Sequence, residues 1–526
     1  MSVLPREISL EFALDEPIDR ARLHARVAQA LATPADELPP LVLRKRSIDA
    51  RRGSVRFHVL IEIGAAETTD LGAPHPRQVG EPRVVIIGGG PAGLFCAYEL
   101  ARHGVGSLVL ERGKPVQPRR HDLKGLNRDG VVDSDSNYCF GEGGAGTYSD
   151  GKLYTRAHKR GNVRDVIEIL ARHSAPASIL TDARPHIGSN RLPQVVTSMR
   201  RELEQVGVQF RFGARVAGLR LRGSAQRQIV GVALADGSEL EARRVVLATG
   251  HSASDIYRML LECGALLEAK SFALGVRIEH PQALIDRIQY GVSAAHPALP
   301  AAAYRVAETV DGRGVFSFCM CPGGFVVPAS TLPGGLVVNG MSLSKRSSHF
   351  ANSGLVVGVD PDDVRRAGFA GVLGGIELQH ALEAVAYAAG GGKLRAPAAR
   401  ATDFLAKRAS STLPRSSYLP GLAATELGAV LDSVGLKISE RIRRALRAFD
   451  QRLRGYLTEE AVLLGVESRT SSPVRIVRDP QTLEAPGIAG LFPAGEGAGY
   501  AGGIMSAAMD GMRIANVIVR DQAALG

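Results

Sequence analysis

The stretch that decides the fold is residues 83–111, RVVIIGGGPAGLFCAYELARHGVGSLVLE. The short β-branched run at 84–87 is typical of a buried parallel strand, and Gly88, Gly90 and Gly93 follow it at G-x-G-x-x-G spacing. The first glycine allows a tight turn, the second lets the backbone approach a pyrophosphate, and the third lets a helix pack on the sheet. The pattern therefore predicts a strand, a phosphate-binding turn and a helix, in that order.

The helix, predicted over 92–103, has an N-terminus suited to a phosphate. Pro91 and Ala92 fit its first turn, where a proline loses no hydrogen bond, and free N–H groups with a partial positive charge converge there. The next strand, predicted over 107–111, ends in Glu111, whose carboxylate can accept hydrogen bonds from ribose hydroxyls and would repel a 2′-phosphate. The stretch therefore predicts a dinucleotide site for FAD or NAD.

The glycine spacing alone is a weak signal in this chain, because 60 of its 526 residues are glycine. The same spacing recurs from Gly141 and again from Gly497. Only the first match is followed by a helix and a strand ending in an acid, so we interpret the other two as loops that contact the cofactor.

The bulk composition is that of a globular protein of two or three domains, with 45% hydrophobic and 22% charged residues. Charge-free apolar runs stay shorter than the roughly eighteen residues of a membrane span. Glu7 and Glu11 lie where a secretory signal would be basic and apolar. We therefore expect a cytoplasmic protein without a membrane span.

The five cysteines are odd in number and sparse, which argues against a disulfide framework. Cys319 and Cys321 are the only close pair, and no second pair or histidine cluster lies at zinc-ligand spacing, so we expect no metal site. The net charge of +11 fits a phosphate-rich cofactor, an acidic partner or RNA equally well.

Residues 1–66 predict a small α+β unit, with a strand near 7–14, a helix near 17–32 and two further strands. The last of these strands is marked by alternating apolar residues from Val55 to Ile61. The basic stretch 44–52 is either a solvated strand and turn or a basic contact surface. Residues 67–82, rich in Gly, Ala, Pro and Thr, predict a linker.

Three later segments belong with the opening stretch. The glycine-rich residues 137–153 predict a loop against a ligand, with polar groups including Asp150 and Lys152 facing the site. Residues 241–250, EARRVVLATG, predict a buried strand running into a tight turn. Residues 490–516, GLFPAGEGAGYAGGIMSAAMDGMRIAN, predict a strand, a glycine turn with an acid, and an apolar helix over 503–519.

With the opening stretch, the last two segments resemble the FAD-binding flavoprotein superfamily whose cofactor domain is of the glutathione-reductase type. More closely, the chain resembles a group of uncharacterised FAD-dependent dehydrogenases or oxidoreductases. The closer resemblance rests on 141–153 (GEGGAGTYSDGKL), 185–188 (PHIG), 272–282 (FALGVRIEHPQ), 317–324 (SFCMCPGG), 339–342 (NGMS) and 467–476 (ESRTSSPVRI).

The resemblance implies an α/β fold. We expect a Rossmann-like FAD-binding domain with a parallel sheet and a three-stranded β meander, called here the cofactor domain, at 83–265 and 465–526. An inserted α+β cap or substrate domain, called here the cap domain, is expected at 266–464. A second βαβ unit for NAD(P)H is not evident in the sequence, so we expect no dedicated nicotinamide domain.

The resemblance also implies the cofactor contacts. The acid Glu496 would bind the ribityl chain, and the following helix N-terminus would point at the flavin O2 and N1 edge. The predicted FAD contacts are Gly88, Gly90, Pro91, Ala92, Gly93, Glu111, Arg112, Gly144, Thr147, Val216, Ala248, Thr249, Gly250, Gly495, Glu496, Gly502, Gly503 and Ile504.

The catalytic residues are not settled by the sequence. Cys319 and Cys321, two apart on a predicted strand and hence on one face, are either a dithiol that exchanges electrons with flavin or two small packed residues. Lys152 and Arg469 are further candidates that could bind an anionic substrate.

Three functions remain open from the sequence. The first is an FAD-dependent oxidoreductase of an unidentified small molecule, with hydride transfer at flavin N5. The second is a flavin-dependent RNA-modifying enzyme, prompted by the net charge and the basic N-terminal stretch. The third is a non-catalytic FAD-binding redox sensor. The sequence predicts neither the substrate, the electron partner nor the oligomeric state.

Overall fold

The structure, a computed structural model, describes residues 4–51, 54–65, 71–155, 161–224 and 227–525, with side chains up to 521. Arg52 of the basic stretch and residues 66–70, at the start of the predicted linker, lie outside the described residues. Residues 71–83 carry no helix or strand.

The N-terminal unit is a three-stranded antiparallel sheet in the order β1-β3-β2, covered by one helix. Its elements are β1 (Glu7–Phe12), α1 (Arg20–Leu31), β2 (Leu41–Asp49) and β3 (Arg56–Ile63). Phe57, Val59, Ile61 and Ile63 are buried while their neighbours are more exposed, so the predicted half-buried strand is confirmed.

The free edge of β2 docks this unit onto the rest of the chain. The Arg46 N–H donates to the Thr181 carbonyl at 2.8 Å, and the Ala183 N–H donates to the Arg46 carbonyl at 2.9 Å. The Arg46 guanidinium also pairs with Asp182 at 2.9 Å. Backbone pairing satisfies edge groups that would otherwise be open to association.

The cofactor domain contains a five-stranded parallel sheet in the order β23-β10-β4-β5-β6. The strands are β4 (Val84–Ile87), β5 (Ser107–Glu111), β6 (Gln209–Phe212), β10 (Val245–Leu247) and β23 (Leu491–Pro493). The β4 strand is buried throughout, as its near-continuous apolar run predicts for a sheet covered on both faces.

The helices assigned to the cofactor domain are α2 (Pro91–Arg102), α3 (Val116–Asp129), α4 (Val163–Arg172), α5 (Leu192–Gln205), α6 (Ser254–Glu262) and α13 (Ile504–Leu525). The predicted meander is β7 (Val216–Arg222), β8 (Arg227–Leu234) and β9 (Glu239–Glu241), extended by β22 (Ile488–Ala489) in parallel with β8. Strands β11 (Leu267–Ala269) and β21 (Val474–Ile476) pair antiparallel close to the two predicted domain boundaries.

The α2 and α13 helices touch through their backbones. A Cβ added at Gly511 would lie 2.0 Å from the Ala92 carbonyl oxygen, and one added at Gly495 would lie 2.8 Å from the Ala92 Cβ. Only glycine permits so close an approach. The first turn of α2 is therefore held between Gly495, which precedes α13, and Gly511, which lies within α13.

The cap domain is built on a seven-stranded mixed sheet in the order β13-β14-β17-β12-β20-β18-β19. Its strands are β12 (Phe272–Pro281), β13 (Ala307–Val310), β14 (Arg313–Cys321), β17 (Phe350–Val359), β18 (Ala396–Arg400), β19 (Leu422–Ala424) and β20 (Val462–Glu467), and β15 (Gly324–Pro328) pairs with β16 (Val338–Ser342). Its helices are α7 (Gln282–Tyr290), α8 (Pro361–Arg366), α9 (Gly374–Ala389), α10 (Ala401–Leu405), α11 (Leu427–Asp432) and α12 (Ile438–Arg452).

The α12 helix differs from the sequence prediction in length and in one face. The apolar spacing over residues 438–457 predicts a helix with a solvated basic face, but α12 ends at Arg452, and Tyr456 is buried beyond its end. Arg443, assigned to a solvated basic face, is buried, because its guanidinium donates to the Phe404 carbonyl at 2.8 Å and to the Ser439 hydroxyl at 2.8 Å. Because the buried guanidinium has several hydrogen-bond acceptors, its burial does not carry the free-energy cost of an unpaired polar group.

Candidate functional site

A cavity of about 420 Å³ lies at the carboxyl ends of the parallel strands, between the cofactor domain and the cap domain. Residues that follow β4, β5, β10 and β23 line one side of it, including Gly88, Glu111, Ala248 and Ala494. Ligands of open α/β sheets bind at this edge. The volume is within the usual range for small-molecule sites.

The glycine turn after β4 is forced by its neighbours. Gly88 has a φ of +108°, and a Cβ there would lie 2.3 Å from the Ala248 carbonyl oxygen. A Cβ at Gly93 would lie 1.9 Å from the Gly88 carbonyl oxygen. The first and third glycines thus serve the tight turn and the helix packing that the motif predicts.

The Glu111 carboxylate is held by three backbone N–H groups. It accepts hydrogen bonds from Gly89 at 2.8 Å and from Gly113 and Gly141 at 2.9 Å each. An ionised carboxylate has about four acceptor positions, so one remains for a ribose hydroxyl. The acid predicted to bind ribose therefore also fastens the glycine loop at 141 to the turn after β4, a role that the sequence did not indicate.

Two helix N-termini open into the cavity. Pro91 and Ala92 begin α2, while Gly502, Gly503 and Ile504 lie at the start of α13, and all five line the cavity. Each N-terminus carries free N–H groups and roughly half a positive charge, which suits a pyrophosphate and the electron-rich edge of a reduced flavin.

The glycines on this side leave room that a cofactor fits. A Cβ added at Gly250, Gly502 or Gly503 would meet nothing within 4 Å, although all three residues line the cavity. Side chains at these positions would occupy the cavity itself. The N–H donors of the two helix N-termini and the open space at these glycines therefore fit a long dinucleotide that lies along the backbone.

Fifteen of the eighteen predicted FAD contacts line the cavity, and three do not. Gly93, within α2, packs against Gly88 in the turn after β4, and Gly495 lies against Ala92 with its N–H donating to Asp510 at 2.8 Å. Thr147 is buried, and its hydroxyl donates to the Glu142 carbonyl at 2.8 Å. These three residues shape the walls from behind.

The cap side of the cavity carries a cluster of charged side chains. The Lys152 Nζ lies 3.1 Å from the buried Asp150 carboxylate, which also pairs with Arg346 at 2.7 Å. Although burial opposes its charge, Asp150 is kept ionised by the two cations, which hold its pKa well below the usual range. Ser342 also donates to Asp150.

Both cysteines of the close pair face this cluster. The Lys152 Nζ lies 3.9 Å from the Cys319 Sγ and 3.7 Å from the Cys321 Sγ. Cys319 lines the cavity, whereas Cys321 is fully buried behind it.

The reason for this convergence differs from the predicted one. Cys319 and Cys321 do not share a face of a regular strand, because the β14–β17 register shifts between Phe318 and Cys321 and Cys319 has a φ of +43°. The bulge, and not simple alternation, brings the two thiols together.

Arg469 lines the cavity but has a carboxylate partner of its own, whereas Lys152 shares the Asp150 carboxylate with Arg346. Its guanidinium forms a two-point ion pair with Glu383 at 2.8 and 2.7 Å, and it also donates to Thr331 at 2.5 Å. A guanidinium neutralised in this way attracts an anionic substrate less than the sequence suggested, so Lys152 is the stronger candidate.

The sequence reasoning missed one residue behind the site. Arg277, fully buried in β12, binds Glu467 at 2.5 and 2.8 Å and donates to Asn352, Asn339 and the Cys319 carbonyl, the last at 3.2 Å. A single charged residue, Arg277, inside the apolar run 272–278 was the available signal. This network fixes the backbone at the bulge.

Among the described residues, no group of three or more His, Cys, Asp or Glu side chains could hold a metal ion. Within the same ranges, no helix is long and apolar enough to cross a membrane.

Comparisons with known proteins agree with the site. Family models match an FAD binding domain at 81–126, an FAD dependent oxidoreductase at 188–330, and the C-terminal domain of an FAD-dependent protein at 271–470. A domain of unknown function matches at 4–64. An uncharacterized protein of Clostridium beijerinckii is 37% identical, covering 97% of this chain and 98% of its own.

Solved structures are similar at a lower level. CtdE in complex with FAD is 12% identical with a TM-score of 0.35, over 85% of this chain and 86% of that chain. THI4 of Thermovibrio ammonificans is 19% identical with a TM-score of 0.25, over 36% of this chain and 63% of that chain.

The Rossmann-like sheet, its phosphate-binding turn and the family matches define an FAD-binding flavoprotein. The chain belongs to the same family as the uncharacterized Clostridium beijerinckii protein, its matched domains are those of FAD-dependent oxidoreductases, and its cofactor is FAD.

Proposed function

We propose that the protein transfers a hydride between flavin N5 and a small-molecule substrate held under the cap domain. The observation that carries the proposal is that one cavity is lined both by the glycine cradle and by Lys152, Cys319 and Arg469. FAD supplies the two-electron chemistry when bound. The chain's own residues then need to hold the cofactor, orient the substrate and manage protons.

The cofactor-domain residues are assigned to binding. Gly88, Gly90 and the first turn of α2 would hold the pyrophosphate, and Glu111 would hold the ribose with its remaining acceptor position. Glu496 and the N-terminus of α13 would hold the flavin half. We propose the domain division 1–66, 83–265 with 465–526, and 266–464, with 67–82 as linker, on the same grounds.

The wall opposite the glycine cradle, formed by residues of both domains, is assigned to the substrate. The Lys152 ammonium is partly exposed, and its exposed surface faces the cavity. A second cavity of about 50 Å³ shares Cys139, Asn339 and Arg469 with the first and extends it into the cap domain. A polar substrate or an anionic group would be oriented here beside a fixed positive charge.

The test is anaerobic mixing of the FAD-loaded protein with NADH, NADPH and fractionated metabolite pools while the flavin absorbance is recorded. We expect a metabolite fraction to bleach the flavin. Failure of every fraction would contradict the proposal, and direct reduction by NADH or NADPH would contradict the absence of a dedicated nicotinamide site.

A matched pair of variants locates the substrate side. Lys152→Met should lower kcat/KM for the active fraction about tenfold or more, because a hydrogen bond to a charged group is lost. Lys345→Met removes an exposed lysine and should change little. Equal activity of the two variants would show that the substrate does not bind at Lys152.

No structural observation favours the RNA-modifying alternative over this one. Within the basic stretch, Arg44 pairs with Glu62, Arg46 with Asp182 and Arg51 with Asp49. Paired arginines offer less uncompensated charge to phosphates. RNA modification and redox sensing remain predictions, and strongly salt-dependent tRNA binding would revive the first of them.

A further inference from the structure

The cysteine pair at the bulge in β14 differs chemically from every other cysteine in the described residues. Burial raises the pKa of Cys96, of Cys139 and of Cys263, as is usual for cysteines that only fill space. None of those three has a lysine within contact of its sulfur, whereas Cys319 and Cys321 share one.

The backbone at the pair is held in a costly conformation. Cys319 has a φ of +43°, a strained conformation for a non-glycine residue that persists only where the surroundings enforce it. Here the Arg277 guanidinium donates to the Cys319 carbonyl and is itself fixed by Glu467 and Asn352. One of the five hydrogen bonds that the buried Arg277 guanidinium donates therefore holds the backbone of Cys319 in place.

The charges around the pair favour one thiolate and one thiol. The Cys321 thiol donates to the Cys319 carbonyl at 3.3 Å. Contact with the Cys321 side chain, together with the Lys152 and Arg277 cations, outweighs burial and the Asp150 carboxylate and lowers the pKa of Cys319 well below its usual range. Contact with the Cys319 side chain and burial raise the pKa of Cys321. Arg346 and His186 also face the cluster through Asp150 and Lys152.

We propose that Cys319 and Cys321 form a redox-active dithiol that reacts with a small-molecule disulfide entering the cavity, with Cys319 as the attacking thiolate and Cys321 as the resolving thiol. This inference rests on the proposed function and names a substrate class for it. Lys152 is a positioning residue, which stabilises the thiolate and orients it toward the cavity.

The reaction balances with these groups alone. The Cys319 thiolate attacks one sulfur of the disulfide, so an S–S bond forms to Cys319 and one substrate thiolate leaves. Cys321 then loses its proton to that leaving thiolate and attacks the Cys319 sulfur, which releases the second substrate thiolate. The two cysteines are oxidised to a disulfide by two electrons, and the substrate disulfide is reduced to two thiols. The dithiol lies in the wall of the cavity assigned to FAD, a two-electron carrier.

The location explains why the attacking residue is Cys319. Only this cysteine of the pair lines the cavity, while Cys321 is fully buried one layer behind it. A small disulfide can reach the first sulfur and not the second. The order of attack is therefore fixed by access as well as by charge.

The test uses the FAD-loaded protein and glutathione disulfide as the probe. After incubation and alkylation, the tryptic peptide 314–345 is analysed by mass spectrometry, because it contains Cys319 and Cys321 and no other cysteine. We expect this peptide to become lighter by two hydrogens and to resist alkylation. Cys321→Ser should trap glutathione on Cys319, and Cys319→Ser should leave Cys321 unmodified. Cys263, half-buried like Cys319, is the internal control.

A second measurement needs no variant of the pair. The rate of iodoacetamide alkylation at Cys319 should stay on its plateau from pH 9 down to pH 7, whereas the rate at Cys263 should fall about tenfold per pH unit. Lys152→Met should lower the Cys319 rate at pH 7 by about tenfold, while Lys345→Met should not. A Cys319 rate that follows that of Cys263, or a peptide that never loses two hydrogens, overturns the dithiol.

The thiol and flavin readouts separate the two proposals. If a metabolite bleaches the flavin equally in wild type and in the Cys319→Ser, Cys321→Ser double variant, the oxidoreductase proposal stands and the dithiol is wrong. If the disulfide forms but no metabolite or thiol bleaches the flavin, the dithiol stands and hydride transfer at this site is wrong.

Discussion

Replacing Gly511 by alanine tests the backbone contact between α2 and α13. The added Cβ would lie 2.0 Å from the Ala92 carbonyl oxygen and 2.9 Å from its carbon, so ordinary contact at 3.4 Å requires a displacement of about 1.4 Å. The obstacle is backbone, and no side-chain rotation relieves it. Overpacking of this kind costs about 3 kcal/mol at the upper end of its usual range. The helix propensity of alanine returns about 1 kcal/mol, so we expect a net loss of about 2 kcal/mol.

Gly125→Ala is the matched control, because Gly125 lies within α3 and a Cβ there would meet nothing within 4 Å. This variant should gain about 0.5–1 kcal/mol. The two variants should therefore shift the thermal midpoint in opposite directions. Both are measured by thermal unfolding with flavin fluorescence as a second readout, because the first turn of α2 and the start of α13 line the cavity. A Gly511→Ala protein as stable as Gly125→Ala, with unchanged FAD retention, would refute the close contact.

Three further predictions concern charge. Asp150→Asn leaves two cations without their buried partner and should lower the free energy of unfolding by about 3 kcal/mol, measured by denaturant titration. Burial lowers the pKa of His280 to about 4, against about 6.5 when unfolded. Acidification therefore protonates the unfolded chain first and lowers the free energy of unfolding by up to about 3 kcal/mol between these two pH values. His280→Gln should flatten this loss of stability in unfolding curves measured at stepped pH. Arg46→Ala breaks an exposed ion pair but no backbone bond, so it should change stability by less than about 1 kcal/mol and leave limited proteolysis of the N-terminal unit unaltered.

The parts of the fold that were predicted well are those that depend on short-range sequence patterns. The strand at 107–111 has its predicted bounds, and α2 begins and ends within one residue of the prediction. Both depend on short-range signals: a buried β-branched run, a glycine turn and a helical period. The glycine loop at 137–153 was recognised for the same reason, because its composition excludes a regular element.

The features that could not be predicted from the sequence depend on contacts between residues that are distant in the chain. The partner of Arg469 lies on α9, far along the chain, so nothing near residue 469 indicates that its charge is neutralised. Arg443 is buried for a similar reason, since its acceptors include a carbonyl on α10. The bulge at Cys319 depends on the register against β17, and strand alternation alone predicts a regular face. Of the predicted cofactor contacts that fail to line the cavity, Gly495 lies against Ala92, which is distant in sequence, whereas Gly93 and Thr147 lie against their near neighbours Gly88 and Glu142.

The strand order of the parallel sheet has a consequence for the chain as it is synthesised. β10 pairs with β4 on one edge and with β23 on the other, yet about 240 residues separate β10 from β23. At ribosomal speeds of roughly 5–20 residues per second, that edge stays open for about 12–50 s. A buried apolar strand with a free edge invites pairing with another chain. The large insertion between the two halves of the cofactor domain therefore leaves the edge of β10 open to pairing with another chain until β23 has been synthesised.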